Sequence, residues 1–73
     1  MDGKIKTINS KGYGFIETSK HIDYFFHHSA FLGEWKALLS LFVKEEPIYV
    51  EFENDLTAKD GPRAINVKVK ESI

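Results

Sequence analysis

Two short runs hold most of the side chains that could do chemistry in this chain: Lys11-Gly12-Tyr13-Gly14-Phe15-Ile16 and Asp23-Tyr24-Phe25-Phe26-His27-His28. In a strand, alternate side chains share a face, so Tyr13 and Phe15 point one way and Gly14 and Ile16 the other. The same arithmetic puts Tyr24 and Phe26 on the core side and leaves Phe25 and His27 outside. If the two runs pair antiparallel, Tyr13, Phe15, Phe25 and His27 form one patch. Solitary exposed apolar side chains are ordinary, but a cluster of large rings in water asks for a reason. Edged by Lys4, Lys6 and Lys11, such a patch is a stacking surface for unpaired bases, with ammonium groups placed for phosphates. The competing reading is that the aromatics fill a core beneath a helix, which periodicity alone favours. The glycines favour the surface: a core strand gains nothing from glycine at alternate positions, whereas a surface closely approached by a ligand does.

Other chemistries find little support. His21, His27 and His28 suggest a metal, but adjacent histidines on a strand point to opposite faces, and there is neither cysteine nor a nearby carboxylate pair. No phosphate-binding loop, nucleophile elbow or paired-carboxylate cleft is present, and Lys11-Gly12-Tyr13-Gly14 lacks the spacing of a phosphate cradle. Neither an enzyme nor a bound cofactor is expected.

The elements that must position the patch are mostly strands. Lys4 to Ile8 begins as polar/apolar alternation and ends in the turn formers Asn9 to Gly12. Tyr13 to Glu17 and Ile22 to His28 are further extended runs, separated by the polar break Thr18 to His21. Ser29 is placed to cap a short helical turn that Gly33 ends. Trp35, Leu38, Leu39 and Phe42 recur at helical spacing, predicting a helix over Glu34 to Lys44. After Pro47, Ile48, Val50 and Phe52 alternate on one face. A polar loop from Asn54 to Pro62 follows, and then Ile65, Val67 and Val69 share a side. The expected fold is all-β: a five-stranded antiparallel barrel with a short helical insertion between strands 3 and 4.

At 73 residues one domain, 1–73, is expected, burying only about 60% of its unfolded surface. Without cysteine, no disulfide can supplement a small core. Met1-Asp2-Gly3-Lys4 is no apolar leader, and Ala37 to Val43 falls far below the roughly 20 residues that span a bilayer, so a soluble cytoplasmic protein is the default. The net charge of −1 argues against a polybasic binder. Its distribution is uneven, however, with Lys4, Lys6, Lys11 and Lys20 against Glu17 early on and an acidic excess between Glu45 and Asp60.

The segments Gly3-Lys4-Ile5-Lys6, Asn9 and Lys11-Gly12-Tyr13-Gly14-Phe15-Ile16 resemble the opening of the bacterial cold-shock protein family, including its first ribonucleoprotein motif. Phe25-Phe26-His27-His28-Ser29-Ala30 is similar to the second motif, and Gly61-Pro62-Arg63-Ala64-Ile65-Asn66-Val67 to the closing strand. The resemblance implies an oligonucleotide-binding (OB) barrel that binds pyrimidine-rich single-stranded RNA or DNA and loosens RNA structure without ATP. Tyr13, Phe15, Phe25 and His27 match its stacking positions. Lys4, Lys6 and Lys11 match its basic ones, and His28, Trp35, Lys59 and Arg63 complete the expected nucleic-acid-binding set.

Three departures bear on strength. Thr7 and Ile8 stand where the family has Trp-Phe, His28 stands where a further Phe is common, and a helix replaces a short glycine-containing loop. Losing one stacked base at about 1–3 kcal/mol weakens binding by roughly 5- to 150-fold. Trp35 either restores part of that loss or packs on the barrel with Leu38 and Phe42. The apolar stretch 35–43, through Leu41, Phe42 or Val43, also offers a route to a homodimer. The alternative function is accordingly a barrel with a weakened nucleic-acid surface, serving protein interaction or dimerisation.

Overall fold

The computed structural model of the chain describes residues 1–59 and 61–70. Asp60, expected in the polar loop, and the last three residues of the 1–73 unit lie outside them. Strands β1 (Asp2–Ile8), β2 (Tyr13–Glu17) and β3 (Asp23–His27) come first. A 3₁₀ turn (His28–Ala30) and helix α1 (Trp35–Val43) follow, then β4 (Tyr49–Asn54) and β5 (Ala64–Val69). The helix occupies the predicted segment, with Glu34 and Lys44 as its flanking caps.

The strands form one antiparallel sheet in the order β3-β2-β1-β4-β5. Its outer strands approach each other through single bridges, Phe25 to Arg63 and Phe31 to Val67. Backbone hydrogen bonds accompany them, from Phe25 N–H to Pro62 O (3.1 Å) and from Leu32 N–H to Val67 O (2.8 Å). The sheet is thus strongly curled around a core of Ile5, Ile8, Ile16, Tyr24, Phe26, Leu38, Ile48, Val50, Phe52, Ala64 and Val67. Helix α1 contributes the fully buried Leu38, while Trp35, Leu39 and Phe42 pack partly buried against the same core. Leu41 and Val43 stay exposed.

The predicted alternation holds in β2, β3 and β4 and fails where the ladder is irregular. In β1 the register shifts between Ile5 and Thr7, so Lys6 and Thr7 are both exposed and Ile5 and Ile8 are both buried. An extra residue of this kind bends the strand and resets which face follows. In β5, Asn66 adopts φ 52°, a left-handed conformation asparagine tolerates. Ala64 and Val67 are therefore the buried pair, with Ile65 and Val69 only half-buried, in place of the expected Ile65-Val67-Val69 face.

Of the glycines of the first motif, Gly12 makes the expected turn, and Gly14 has a different explanation from the one its spacing suggests. Gly14 faces the core, and a Cβ there would lie 2.5 Å from both Ile8 Cγ2 and Thr7 O. Gly12, at φ +100°, makes the turn, and a Cβ on it would meet His28 Cδ2 at 2.5 Å. Close internal packing requires Gly14, and the left-handed backbone of the turn requires Gly12.

Gly14→Ala is expected to lower stability by about 1–3 kcal/mol through overpacking against backbone that cannot yield. Leu38→Ala should cost about 2–5 kcal/mol by opening a cavity under α1. Urea midpoints at unchanged m-value check both; a Gly14→Ala protein as stable as the parent would contradict the packing account.

Candidate nucleic-acid interface

The β2–β3 ladder sets Tyr13 opposite His27 and Phe15 opposite Phe25, while Gly14, Ile16, Tyr24 and Phe26 are buried on the inner face. The sheet thus uses one set of aromatics as core and leaves the other half-exposed. Phe25 sits between its neighbours. Its ring centroid lies 5.8 Å from Tyr13, stacked at 30°, and 5.7 Å from Phe15 at 71°. Offset and edge-on pairs of this kind suit ring quadrupoles and hold the rings in place without a ligand.

His27 and His28 extend the row. His27 Nδ1 accepts the Ser29 amide hydrogen (3.3 Å) and lies 2.9 Å from Ser29 Oγ. His27, rather than Ser29, is therefore the cap of the 3₁₀ turn. With Nδ1 accepting, the neutral ring carries its hydrogen on Nε2. The expectation that His27 and His28 face apart is also corrected. Their centroids are 4.2 Å apart, because the strand ends at His27 and the period of two ends with it. Among the described residues no group of three or more side chains could hold a metal ion.

Trp35 packs on the sheet as its helical spacing predicts, edge-on to Phe26 at 5.6 Å and to Phe31 at 6.1 Å. Its indole N–H donates to Asn9 O at 3.0 Å, which ties α1 to the β1–β2 turn. His28 lies 6.3 Å away, so the partly exposed Trp35 ring continues the line begun by Phe15. Thr7, cross-strand from Phe15, is exposed at the edge of the patch, whereas Ile8 is buried. The first of the two departures in β1 therefore falls on the surface and the second in the core.

The cationic side chains are less evenly placed. Lys11 is exposed in the turn next to Tyr13, where its N–H donates to Asn9 Oδ1 at 3.0 Å. Arg63 holds its guanidinium carbon 5.7 Å from the Phe25 centroid, and Lys59 is exposed in the neighbouring β4–β5 loop. Lys6 crosses the outer face of β2 to reach Asp23 Oδ2 at 2.9 Å. The hydrogen bond to Asp23, and then its charge, hold the Lys6 ammonium above the ordinary lysine value. Any phosphate there competes with a carboxylate. Lys4, opposite Glu17 and Tyr49, stands at the other end of the ladder from Tyr13 and His27. It lines hollows shared with Asp2, Glu17, Glu45 and Glu46.

Sequence reasoning missed two partners, Asp23 on Lys6 and the Asn9 carbonyl on Trp35. Both depend on strand register, and no local pattern signals either. It also missed the wall that Ala58, Gly61 and Pro62 raise beside Phe15 and Phe25. No helix among the described residues is long and apolar enough to cross a membrane.

Comparison with known proteins agrees with this geometry. The sequence model of the 'cold-shock' DNA-binding domain matches residues 1–70. A cold shock-like protein of Thermotoga maritima is 43% identical over 72 residues, covering 97% of this chain and 100% of that protein. Cold shock protein CspB of Geobacillus stearothermophilus is 43% identical over 67 residues, covering 89% and 91% respectively. With the match spanning nearly the whole sequence and the aromatic motifs on the outer face of adjacent strands, the chain belongs to the cold-shock domain family, whose members bind nucleic acids and are not enzymes.

Proposed function

We propose that this chain binds single-stranded RNA or DNA by stacking successive bases along the row Phe15, Phe25, Tyr13 and His27, with His28 and Trp35 extending it. The observation that carries the reading is the outward clustering of Tyr13, Phe15 and Phe25 at 5.7–5.8 Å centroid spacing while their alternate neighbours are buried. A folded protein has no internal use for three adjoining half-exposed rings, whereas each stacked base is worth about 1–3 kcal/mol. The scaffold is the family's OB-type barrel, and pyrimidine-rich strands are the favoured partners.

Phosphate contacts fall to Lys11, Lys59 and Arg63 around the row. Lys6 is recruited only when a strand displaces Asp23, and Lys4 acts at the far margin. A slightly acidic protein binds in this way because the cations are gathered at the patch instead of spread over the surface. By holding unpaired strands, the protein draws RNA away from hairpins through mass action, with no ATP, which is the work of an RNA chaperone acting on transcripts in the cytoplasm.

Protein interaction through 35–43 is the weaker reading. Trp35, Leu38, Leu39 and Phe42 are packed against the core, leaving mainly Leu41 and Val43 outward. Two side chains are far short of the roughly 1,200 Å² that a stable interface buries.

Fluorescence anisotropy with labelled oligothymidine and oligouridine tests the proposal. Affinity should fall as salt rises, with a log–log slope of about −0.7 per phosphate contacted. Phe15→Ala/Phe25→Ala, confirmed folded, should bind at least roughly 25-fold more weakly, since two stacked bases are lost. Lys11→Ala should make the slope shallower by about 0.7. A folded wild type that ignores both oligomers at low salt would overturn the proposal.

A further inference from the structure

Beyond Phe15 the aromatic row stops, but the outer face of the sheet continues across β1 to β4. On β4 the alternate residues Tyr49, Glu51 and Glu53 are exposed while Val50 and Phe52 are buried. Tyr49 stands out in this otherwise acidic series. At 54% exposed, it is the one aromatic side chain among the described residues that stands mostly in solvent, more open than any ring of the row.

The ladder fixes where that ring stands. Lys4 of β1 is its cross-strand partner, and Lys70 N–H donates to Tyr49 O at 2.8 Å. Lys4 pairs in turn with Glu17 of β2, two residues past Phe15. With strands about 4.8 Å apart and residues about 3.4 Å apart along them, Tyr49 lies about 12 Å from Phe15 across the sheet. The ring borders an open hollow of about 460 Å³ that Lys4, Glu17, Thr18 and Lys70 also line. Charges in the hollow are matched. Lys70 Nζ is 3.4 Å from Asp2 Oδ2, and Glu17 stands opposite Lys4 with its Oε2 3.7 Å from His21 Nδ1. Two ammonium groups set against two carboxylates neither repel a polyanion nor hold it by charge alone. What the hollow offers is a ring face between the apolar stems of two lysines, and every base has a face to lay on it.

A solitary exposed ring is ordinary on a protein surface. This one shares its face of the sheet with the row and is joined to it through Lys4, one of the cations at the margin of the candidate interface. We infer that Tyr49 is a separate stacking subsite, taking one further base of a strand that leaves the row at Phe15 and crosses β1. The inference rests on the stacking function proposed above and extends its footprint. Lys4 then lies between two stacking points, under the backbone that links them.

Anisotropy with oligothymidines of about 4 to about 12 nucleotides, lengths that an OB barrel accommodates, tests this. Wild type, Tyr49→Ala and Tyr49→Phe are compared at low and moderate salt, with urea midpoints confirming the fold. Tyr49→Ala should bind the longest oligomers roughly 5-fold more weakly, the lower end for one stacked base, and the shortest as wild type does. The salt slope on long oligomers should stay unchanged, because a ring is lost and not a phosphate contact. Tyr49→Phe should bind like wild type at every length. The inference is overturned if Tyr49→Ala binds all lengths like wild type, if it weakens short and long oligomers alike, or if Tyr49→Phe is as weak as Tyr49→Ala. Any of these results, with wild type still binding through Phe15 and Phe25, removes the Tyr49 subsite alone. No binding of any oligomer by folded wild type removes the stacking function with it.

Discussion

Where Gly14 crosses the core, Ile8 and Phe26 come close enough that no side chain fits between them. That contact joins the three strands β1, β2 and β3 at one point and requires the sheet to curl tightly over its own interior. Because Gly14 is flanked by Tyr13 and Phe15, locking it inward also locks both rings outward. The core and the candidate binding surface are thus two sides of one constraint, set by strand alternation through a residue without a side chain. A slip of one residue in β2 would bury the rings and expose Ile16, and the close approach at Gly14 forbids it.

The curl also decides which loops can reach the rings. Bridges from Phe25 to Arg63 and from Phe31 to Val67 bring the residue before β5 against β3, and the middle of β5 against the segment after the 3₁₀ turn. The β4–β5 loop is thereby placed beside residues some forty positions earlier in the chain. On the opposite flank, Trp35 reaches Asn9 and holds α1 against the β1–β2 turn. The aromatic row is bordered at one end by a loop distant in sequence and at the other by α1, and its length is fixed by where those elements dock.

Much of this was legible in the residues. Alternation in Tyr13–Glu17 and Asp23–His27 is unbroken, so the inner and outer faces followed directly. The helical spacing of Trp35, Leu38 and Phe42 placed α1 within a residue at each end. What escaped was every feature set by an irregularity or by register. The shift between Ile5 and Thr7 and the left-handed Asn66 each reset a strand's phase, and neither has a local signal strong enough to override alternation. His28 was assigned a face by a period that had already ended. Gly12 marks the turn that its place among the turn formers suggests, whereas Gly14 points to the right segment for the wrong reason, because a glycine records only that something approaches, not whether it is protein or ligand. The Lys6–Asp23 pair needed the order of three strands to be known, and it changes how available one of the expected cations is.

The docking of Trp35 has an optical consequence. It is the single tryptophan of the chain, half-buried, with its indole hydrogen committed to a backbone carbonyl in another element. The chromophore sits at the row's far end, on the seam between helix and turn. Its emission therefore reads the seating of α1 against the β1–β2 turn.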